Sequence, residues 1–316
     1  MWFLIIACGD IEQSNEISST NISFSDGYDS ESELLYEEIL TEFDIEMHRE
    51  NSESDQPEYS SECDHMYMLH QQEDGTSELW NYNINTTLLT SNGTIECFSP
   101  GALESFLSMS GDDKGNLWLL TDLGNIFRLH PETMDCQNIG INPTEFDPFF
   151  AAFGITLVTK AQSNNHTFYL SGLSLDISGL KKVIIKQTAE ESSHVASIGP
   201  YDLESDHLSY IPDIAGSRSD LILGLQATSP TESKIIEVEP QTGEFYSLWE
   251  GSLEIGMVSS LIHHQDKYWI FAGTEEDTTE LHVFDTASQT TVMEEIFNLS
   301  IVGASLSSCL NEESAY

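Results

Sequence analysis

Basic side chains are what this sequence most lacks. Ten Lys plus Arg stand against 54 Asp plus Glu in 316 residues, a formal net charge of −44 at pH 7. Such a surface repels phosphates, which sets the chain against nucleic-acid binding. It also has no polybasic handle for anionic lipid headgroups. The apolar stretch from Trp2 to Ala7 is far too short to cross a bilayer. No Gly-x-Ser-x-Gly elbow, phosphate-cradling glycine loop or His-Glu-x-x-His pair is present, so the common hydrolase, nucleotide and zinc-protease signatures are missing. Cysteines number five, none in Cys-x-x-Cys spacing, which argues against a structural zinc site.

What is there begins with acid. The carboxylates are spread along the whole chain rather than gathered at one place. That distribution favours adaptation to a salty medium, where screening within a few Å tolerates self-repulsion, over a cation-binding or basic-partner role.

The first residues, ending Ile5-Ile6-Ala7-Cys8-Gly9, read as the end of a bacterial lipoprotein signal in which Cys8 is acylated. The competing reading is a buried first strand, and the run lacks a basic leader. From residue 9 to residue 62 the chain is polar and acidic, with Arg49 as its one basic residue, and is expected to be a disordered tether. Within it Leu35, Ile39 and Phe43 recur at i+4, a pattern for a short helix or a passing helical turn.

From residue 63 to residue 311 the pattern changes to short runs of β-branched and aromatic residues separated by Gly, Asn, Asp and Ser, with no sustained 3.6-residue period. Strands are expected at 66–69, 117–121, 125–130, 155–159, 167–171, 221–226, 235–239, 268–272 and 281–285. Several belong to a recurring strand–turn–strand unit closed by a polar pair and a turn. The clearest copy runs from Gly115 to Thr133, with others ending at Glu239-Pro240-Gln241-Thr242-Gly243 and Asp285-Thr286-Ala287-Ser288. The turns after the second strand, at Asn83, His130, Lys186, Glu239 and Asp285, lie 47, 56, 53 and 46 residues apart. Repeats of about 40–50 residues holding four strands are the signature of propeller blades. The fold expected is therefore all-β, a β-propeller of about five blades with six also open, at 63–101, 102–142, 143–200, 201–251 and 252–311, and a tail at 312–316. A β-sandwich is the alternative.

These features together resemble a group of uncharacterised bacterial lipoproteins with a lipobox, a polar tether and a propeller-like domain. The residues that carry the likeness are Met66-Tyr67-Met68-Leu69, the stretch 115–131, the stretch 237–243 and Ile301-Val302-Gly303-Ala304-Ser305-Leu306-Ser307-Ser308-Cys309. The resemblance implies export to the cell envelope, with the outer membrane as destination, and implies no activity.

Four cysteines besides Cys8 allow three pairings, and an exported protein would oxidise them. Cys63 precedes the first expected strand and Cys309 follows the last, so a bridge between them would fasten a closed ring, leaving Cys97 and Cys136 of neighbouring blades to pair. Free buried thiols are the alternative. For chemistry, Asp112 and Asp113 are weak metal candidates, since close carboxylates at a propeller mouth would suit calcium, but an Asp-x-x-Gly turn is also ordinary punctuation between strands. His263-His264-Gln265-Asp266 is a second weak ligand set. No catalytic residue or cofactor is assigned. The expected role is a lipid-anchored, surface-displayed binding or scaffold protein for an extracellular protein or glycan. A metal-dependent hydrolase of small lactones, esters or sugars is the rival.

Overall fold

A computed structural model describes residues 64–306, except for positions 73, 99–103, 113, 141–149, 159–165, 175–176, 186–193, 201–209, 217–221, 230, 257, 265 and 275–276. The expected acyl site Cys8, the expected tether 9–62, Cys63, Asp113, Lys186 and Cys309 lie outside the described residues.

Among the described residues, twenty strands form five four-stranded antiparallel sheets. The first holds β1 (His65–Gln71), β2 (Ser77–Asn83) and β3 (Leu88–Thr94). The second is β4 (Phe106–Gly111), β5 (Leu117–Thr121), β6 (Ile126–Leu129) and β7 (Cys136–Asn138). The third is β8 (Phe150–Val158), β9 (His166–Ser174), β10 (Ile177–Ile185) and β11 (His194–Pro200). The fourth is β12 (Tyr210–Gly216), β13 (Ile222–Ser229), β14 (Glu232–Val238) and β15 (Phe245–Gly251). The fifth is β16 (Ser259–His264), β17 (Lys267–Gly273), β18 (Thr279–Asp285) and β19 (Thr290–Phe297).

The last strand, β20 (Ile301–Leu306), does not extend the fifth sheet as the expected unit 252–311 has it. It pairs antiparallel with β1, Met66 opposite Leu306 and Leu69 opposite Gly303, and completes the first sheet. The physical reason is that β1 otherwise keeps an open edge, and an unpaired row of backbone donors and acceptors is best satisfied by a strand from the other end of the chain.

Each sheet meets its neighbours face to face, and the core lies in the seams. Met68, Ile262 and Phe271 join the fifth sheet to the first. Leu69, Phe106 and Leu119 join the first to the second. Trp118, Ile155 and Phe168 join the second to the third, Tyr169, Ile214 and Ile236 the third to the fourth, and Leu225, Leu261 and Ile270 the fourth to the fifth. The innermost strands follow the same cycle: β20 packs beside β4, β4 beside β8, β8 beside β12, β12 beside β16, and β16 beside β20. This closed arrangement is that of a β-propeller. Because both faces of a middle strand are covered, β5 reads Leu-Trp-Leu-Leu-Thr with every residue buried rather than alternating.

The repeated turn has a common geometry. Asn83, His130, Glu239 and Asp285 each open five residues whose fifth has positive φ: Thr87 at 54°, Met134 at 59°, Gly243 at 78° and Gln289 at 56°. In three of them the fifth N–H donates back to the first carbonyl, over 2.8 Å from Met134 and 2.9 Å from both Gly243 and Gln289. The opening side chain adds to this: Asn83 Oδ1 accepts from Thr86, and Asp285 Oδ1 from Ala287 and Ser288. The outer ladders also repeat a register shift, at Leu79/Trp80, Ile235/Ile236 and Leu281/His282. Bulges there twist the outermost strands and blunt edges that would otherwise recruit other chains.

Candidate functional site

The innermost strands place glycine where they approach one another closely. A Cβ added at Gly154 on β8 would meet Asp213 Cα and Ile214 N of β12, each at 3.0 Å. One added at Gly303 on β20 would meet the Met109 backbone nitrogen of β4 at 2.7 Å. Where these strands converge lies a polar cluster built around Asp213, which is 1% exposed, with Ser108 and Ser260 wholly buried.

The Ser108 hydroxyl on β4 donates to Asp213 Oδ1 over 2.7 Å. The Ser260 hydroxyl on β16 donates to Oδ2 over 2.7 Å, and the Leu261 N–H donates to the same oxygen over 3.1 Å. Each serine is itself held by an amide from a further sheet. Ile155 N–H of β8 donates to Ser108 Oγ at 3.2 Å, and Ala304 N–H of β20 to Ser260 Oγ at 2.9 Å. One connected network therefore touches the innermost strand of all five sheets. Backbone ladders run only within sheets, so this network supplies polar joins between them. Ser110 Oγ, accepting from Leu157 N–H over 3.1 Å, adds another between β4 and β8.

Burial pushes the Asp213 carboxyl up to about 7, opposed in part by hydrogen bonds from Ser260, Ser108, Leu261 and Ile214. A carboxyl in that range would suit a general base. Here, however, both oxygens are taken by donors from the surrounding strands, and the side chain serves as a fastener.

Asp112 follows β4 and is also 1% exposed. Its Oδ1 accepts from the N–H groups of Lys114 at 2.9 Å and Asn116 at 2.8 Å. Its Oδ2 accepts from Asn116 Nδ2 at 2.9 Å and Trp118 Nε1 at 3.0 Å. The carboxylate thus shapes its own loop, where Gly115 takes φ 81°, and pins the tryptophan behind it. Its oxygens are directed at these donors rather than at solvent. His264 is buried at the end of β16, and the His263 ring lies 5.0 Å from that of Tyr268. Among the described residues no three His, Cys, Asp or Glu side chains are grouped to hold a metal ion. The tryptophans pack between strands: Trp118 against Phe168 at 4.5 Å and Trp249 against Phe284 at 5.6 Å.

Cys97, just after β3, is bonded to Cys136 on β7, their Cα atoms 5.3 Å apart. The bridge joins the outer strands of the first two sheets, with Phe98, Phe106 and Phe127 packed beside it. Nearby is a shallow depression of about 410 Å³ lined by Asn116, Arg128, His130, Thr133, Asp135 and Gln137. Its polar groups largely serve one another: Arg128 Nη2 donates to Gln137 Oε1 at 2.6 Å, and Thr133 Oγ1 to Asp135 Oδ2 at 2.9 Å. No helix among the described residues is long and apolar enough to cross a membrane.

The Asp213 cluster was not anticipated from sequence. Its signal was a charged residue inside an apolar strand, between Ile211 and Ile214, with serines interrupting two others at Ser108 and Ser260.

No family profile matches the sequence, and no curated protein matches it significantly. Solved structures similar to it include a chain of a nidogen/laminin complex, at 10% identity over 77% of this chain and 98% of that one, TM-score 0.47. A protein of unknown function from Bacteroides caccae matches at 10% identity over 77% and 98%, TM-score 0.45. The propeller domain of Cps50 (Swd1) from Myceliophteria thermophila matches at 11% identity over 74% and 72%, TM-score 0.36.

Proposed function

We propose that the protein is a binding scaffold, a five-bladed propeller displayed on the bacterial surface by an acyl anchor at Cys8, which presents its outer surfaces to an extracellular protein or glycan. The observation that supports this most is the filling of the ring's centre. The place where a propeller enzyme would gather its reacting groups is occupied by Ser108, Asp213 and Ser260, bonded to one another and to backbone amides. The nearest sequence candidate for a cation ligand, Asp112, spends both oxygens on its own loop.

A scaffold of this kind needs rigidity more than a reactive pocket. The disulfide at the rim and the polar cluster at the centre supply it at two radii. Propellers host binders and enzymes alike, so the fold itself does not choose between them.

The test is calorimetric titration of the purified chain with calcium, beside turnover assays on lactones, esters and small glycosides. No calcium heat and no turnover are expected. Calcium-dependent turnover lost in Asp112→Asn would replace the scaffold reading with the metal-dependent hydrolase. For the anchor, acyl labelling in a bacterial host should be lost in Cys8→Ser, and labelling that persists in that variant would remove the anchor from the proposal.

A further inference from the structure

Large apolar side chains left in the open are not scattered over this ring. Among the described residues, Tyr246 and Leu248 lie exposed on β15, and Val292, Met293 and Ile296 on β19. These are the outermost strands of the fourth and fifth sheets, which are neighbours in the ring. Leu88, Leu123 and Val258 are the others, each in a different place.

The ladders show which faces these residues take, since residues opposite one another share a face and alternate residues return to it. Ile235 is opposite Trp249, and Glu237 opposite Tyr246. Ile235 belongs to the core between the fourth and fifth sheets, and Trp249 packs on it. Glu237 and Tyr246 therefore face the fifth sheet as well. Burial and then the charge of Glu237 raise the phenol of Tyr268 on the fifth sheet, which agrees. From the other side, Phe284 belongs to the same core. Glu280 and His282 share its face, with Ile296 and Met293 opposite them. Tyr246 and Trp249 thus line one wall of this seam's outer mouth, and Met293 and Ile296 the other. Apolar surface gathered in this way on a polar protein marks an interaction site.

The floor is preformed. The Trp249 ring lies 5.6 Å from Phe284, and Phe284 stacks on Tyr268 at 5.9 Å. Gly251 lies against the indole, and a Cβ added there would strike the ring. At the seam between the first and second sheets, the Cys97–Cys136 bridge and Phe98 close the rim. Here the rim side chains stand in solvent instead.

Charge narrows the occupant. Glu237 and Glu280 stand on the walls, and the one Lys or Arg in β14, β15, β18 and β19 is Lys234. It alternates with Ile235, so it faces away, and it is paired with Glu250 at 2.8 Å. His282 is paired with Glu280 at 2.9 Å. An occupant that fits brings apolar anchors for the floor and cationic groups for the walls. A neutral glycan brings no cation, and a second copy of this chain brings a net charge of −44.

We propose that the outer mouth of the seam between the fourth and fifth sheets is a docking groove for a partner protein, which inserts an apolar segment flanked by Lys or Arg. This rests on the scaffold reading and narrows its partner to a protein of that chemistry.

The experiment screens the full chain against a random peptide library at physiological NaCl, and the enriched peptides are synthesised and titrated. They should carry apolar anchors beside Lys or Arg. Affinity should fall roughly tenfold or more when Tyr246→Ser, Met293→Ser and Ile296→Ser are combined, the scale for losing clustered anchors. The three side chains are 63%, 50% and 53% exposed, so the melting temperature should hold. Leu88→Ser with Leu123→Ser should leave affinity unchanged. Glu237→Gln with Glu280→Gln should weaken binding and flatten its dependence on salt. Should the triple variant melt lower, Ile296→Lys serves, because it sets a like charge before the basic flanks. Peptides held equally by these groove variants overturn the proposal, as do enriched sequences that are basic without apolar anchors, or no enrichment at all. A wild type that sediments as a dimer and becomes monomeric in the triple variant overturns it in favour of a second copy. Glycans bound through Tyr246 in place of peptides overturn it in favour of a sugar. Each of these failures leaves the scaffold reading in place, since that reading falls to calcium-dependent turnover.

Discussion

Removing the Cys97–Cys136 bridge isolates the mechanical role of the ring's rim. The two cysteines are 39 residues apart in sequence, and closing a loop of that length removes about 4 kcal/mol of unfolded-chain entropy at 25 °C in the chain-entropy account. Both side chains are half-buried against the seam formed by Leu69, Phe106 and Phe127. Replacement of both by Ala therefore removes little packing beyond the sulfurs. For a domain of this size each kcal/mol corresponds to about 2–4 °C, so the double variant should melt roughly 8–16 °C below the oxidised wild type. The assay is thermal and urea unfolding followed by circular dichroism at fixed ionic strength, with and without a thiol reductant. Reduced wild type should fall to the level of the variant, and the variant should ignore the reductant. Hydrogen exchange should rise first at β3 and β7. A loss below about 1 kcal/mol, or a wild type indifferent to reductant, would refute the idea that the bridge holds the first two sheets together.

Four further outcomes are expected. With a net charge of −44, the melting temperature should climb from low to molar NaCl as self-repulsion is screened; a flat profile would show that the acidity carries no such strain. Gly154→Ala should cost about 1–3 kcal/mol in urea unfolding, because its Cβ would strike backbone atoms of Asp213 and Ile214 at 3.0 Å. At the repeated turn, Gln289→Gly should stabilise and Gly243→Ala destabilise, each by about 1 kcal/mol, since both positions have positive φ; equal and opposite signs to these would discredit the turn assignment. Finally, β20 pairs with β1, and Cys63 and Cys309 lie just before the first and just after the last of these strands in the sequence. Non-reducing peptide mapping should then recover a Cys63–Cys309 cross-link, and free thiols at both would deny it.

The strands that could be read from sequence were mostly those in the middle of a sheet. Leu117–Thr121 and Lys267–Gly273 are apolar on both faces or rich in aromatics, and Thr279–Asp285 alternates buried and half-buried residues; such patterns announce themselves. The outer strands were missed because solvent permits almost any polar residue there: Leu88–Thr94 and Thr290–Phe297 are largely exposed. Of the innermost strands, Phe106–Gly111, Tyr210–Gly216 and Ser259–His264 were missed for the opposite reason. Close approach selects Ser, Gly and Ala, which carry little hydrophobic signal. The same compositional modesty hid Asp213. A charge in a strand reads as an edge or a loop until its three-dimensional donors are known. Asp112, in contrast, stood out through its Asp-Asp-Lys-Gly spacing, but that spacing encodes a turn and the carboxylate is turned inward. Turn chemistry was legible because it is local. The sequence spacing of Asn83, His130, Glu239 and Asp285 reports one geometry repeated.

The pairing of β1 with β20 also sets an order of events during synthesis. His70 and Ser300, which meet through a hydrogen bond, are separated by 230 residues. At about 5–20 residues per second on a ribosome, the first three strands wait on the order of 10–50 s for their partner. Through that interval Met66 and Met68 have neither the neighbouring strand nor the seam with the fifth sheet that buries them in the finished ring. The earliest-made sheet is thus the last to be completed. Nascent chains stalled before residue 301 should be the species most prone to recruit a holdase chaperone or to associate with one another.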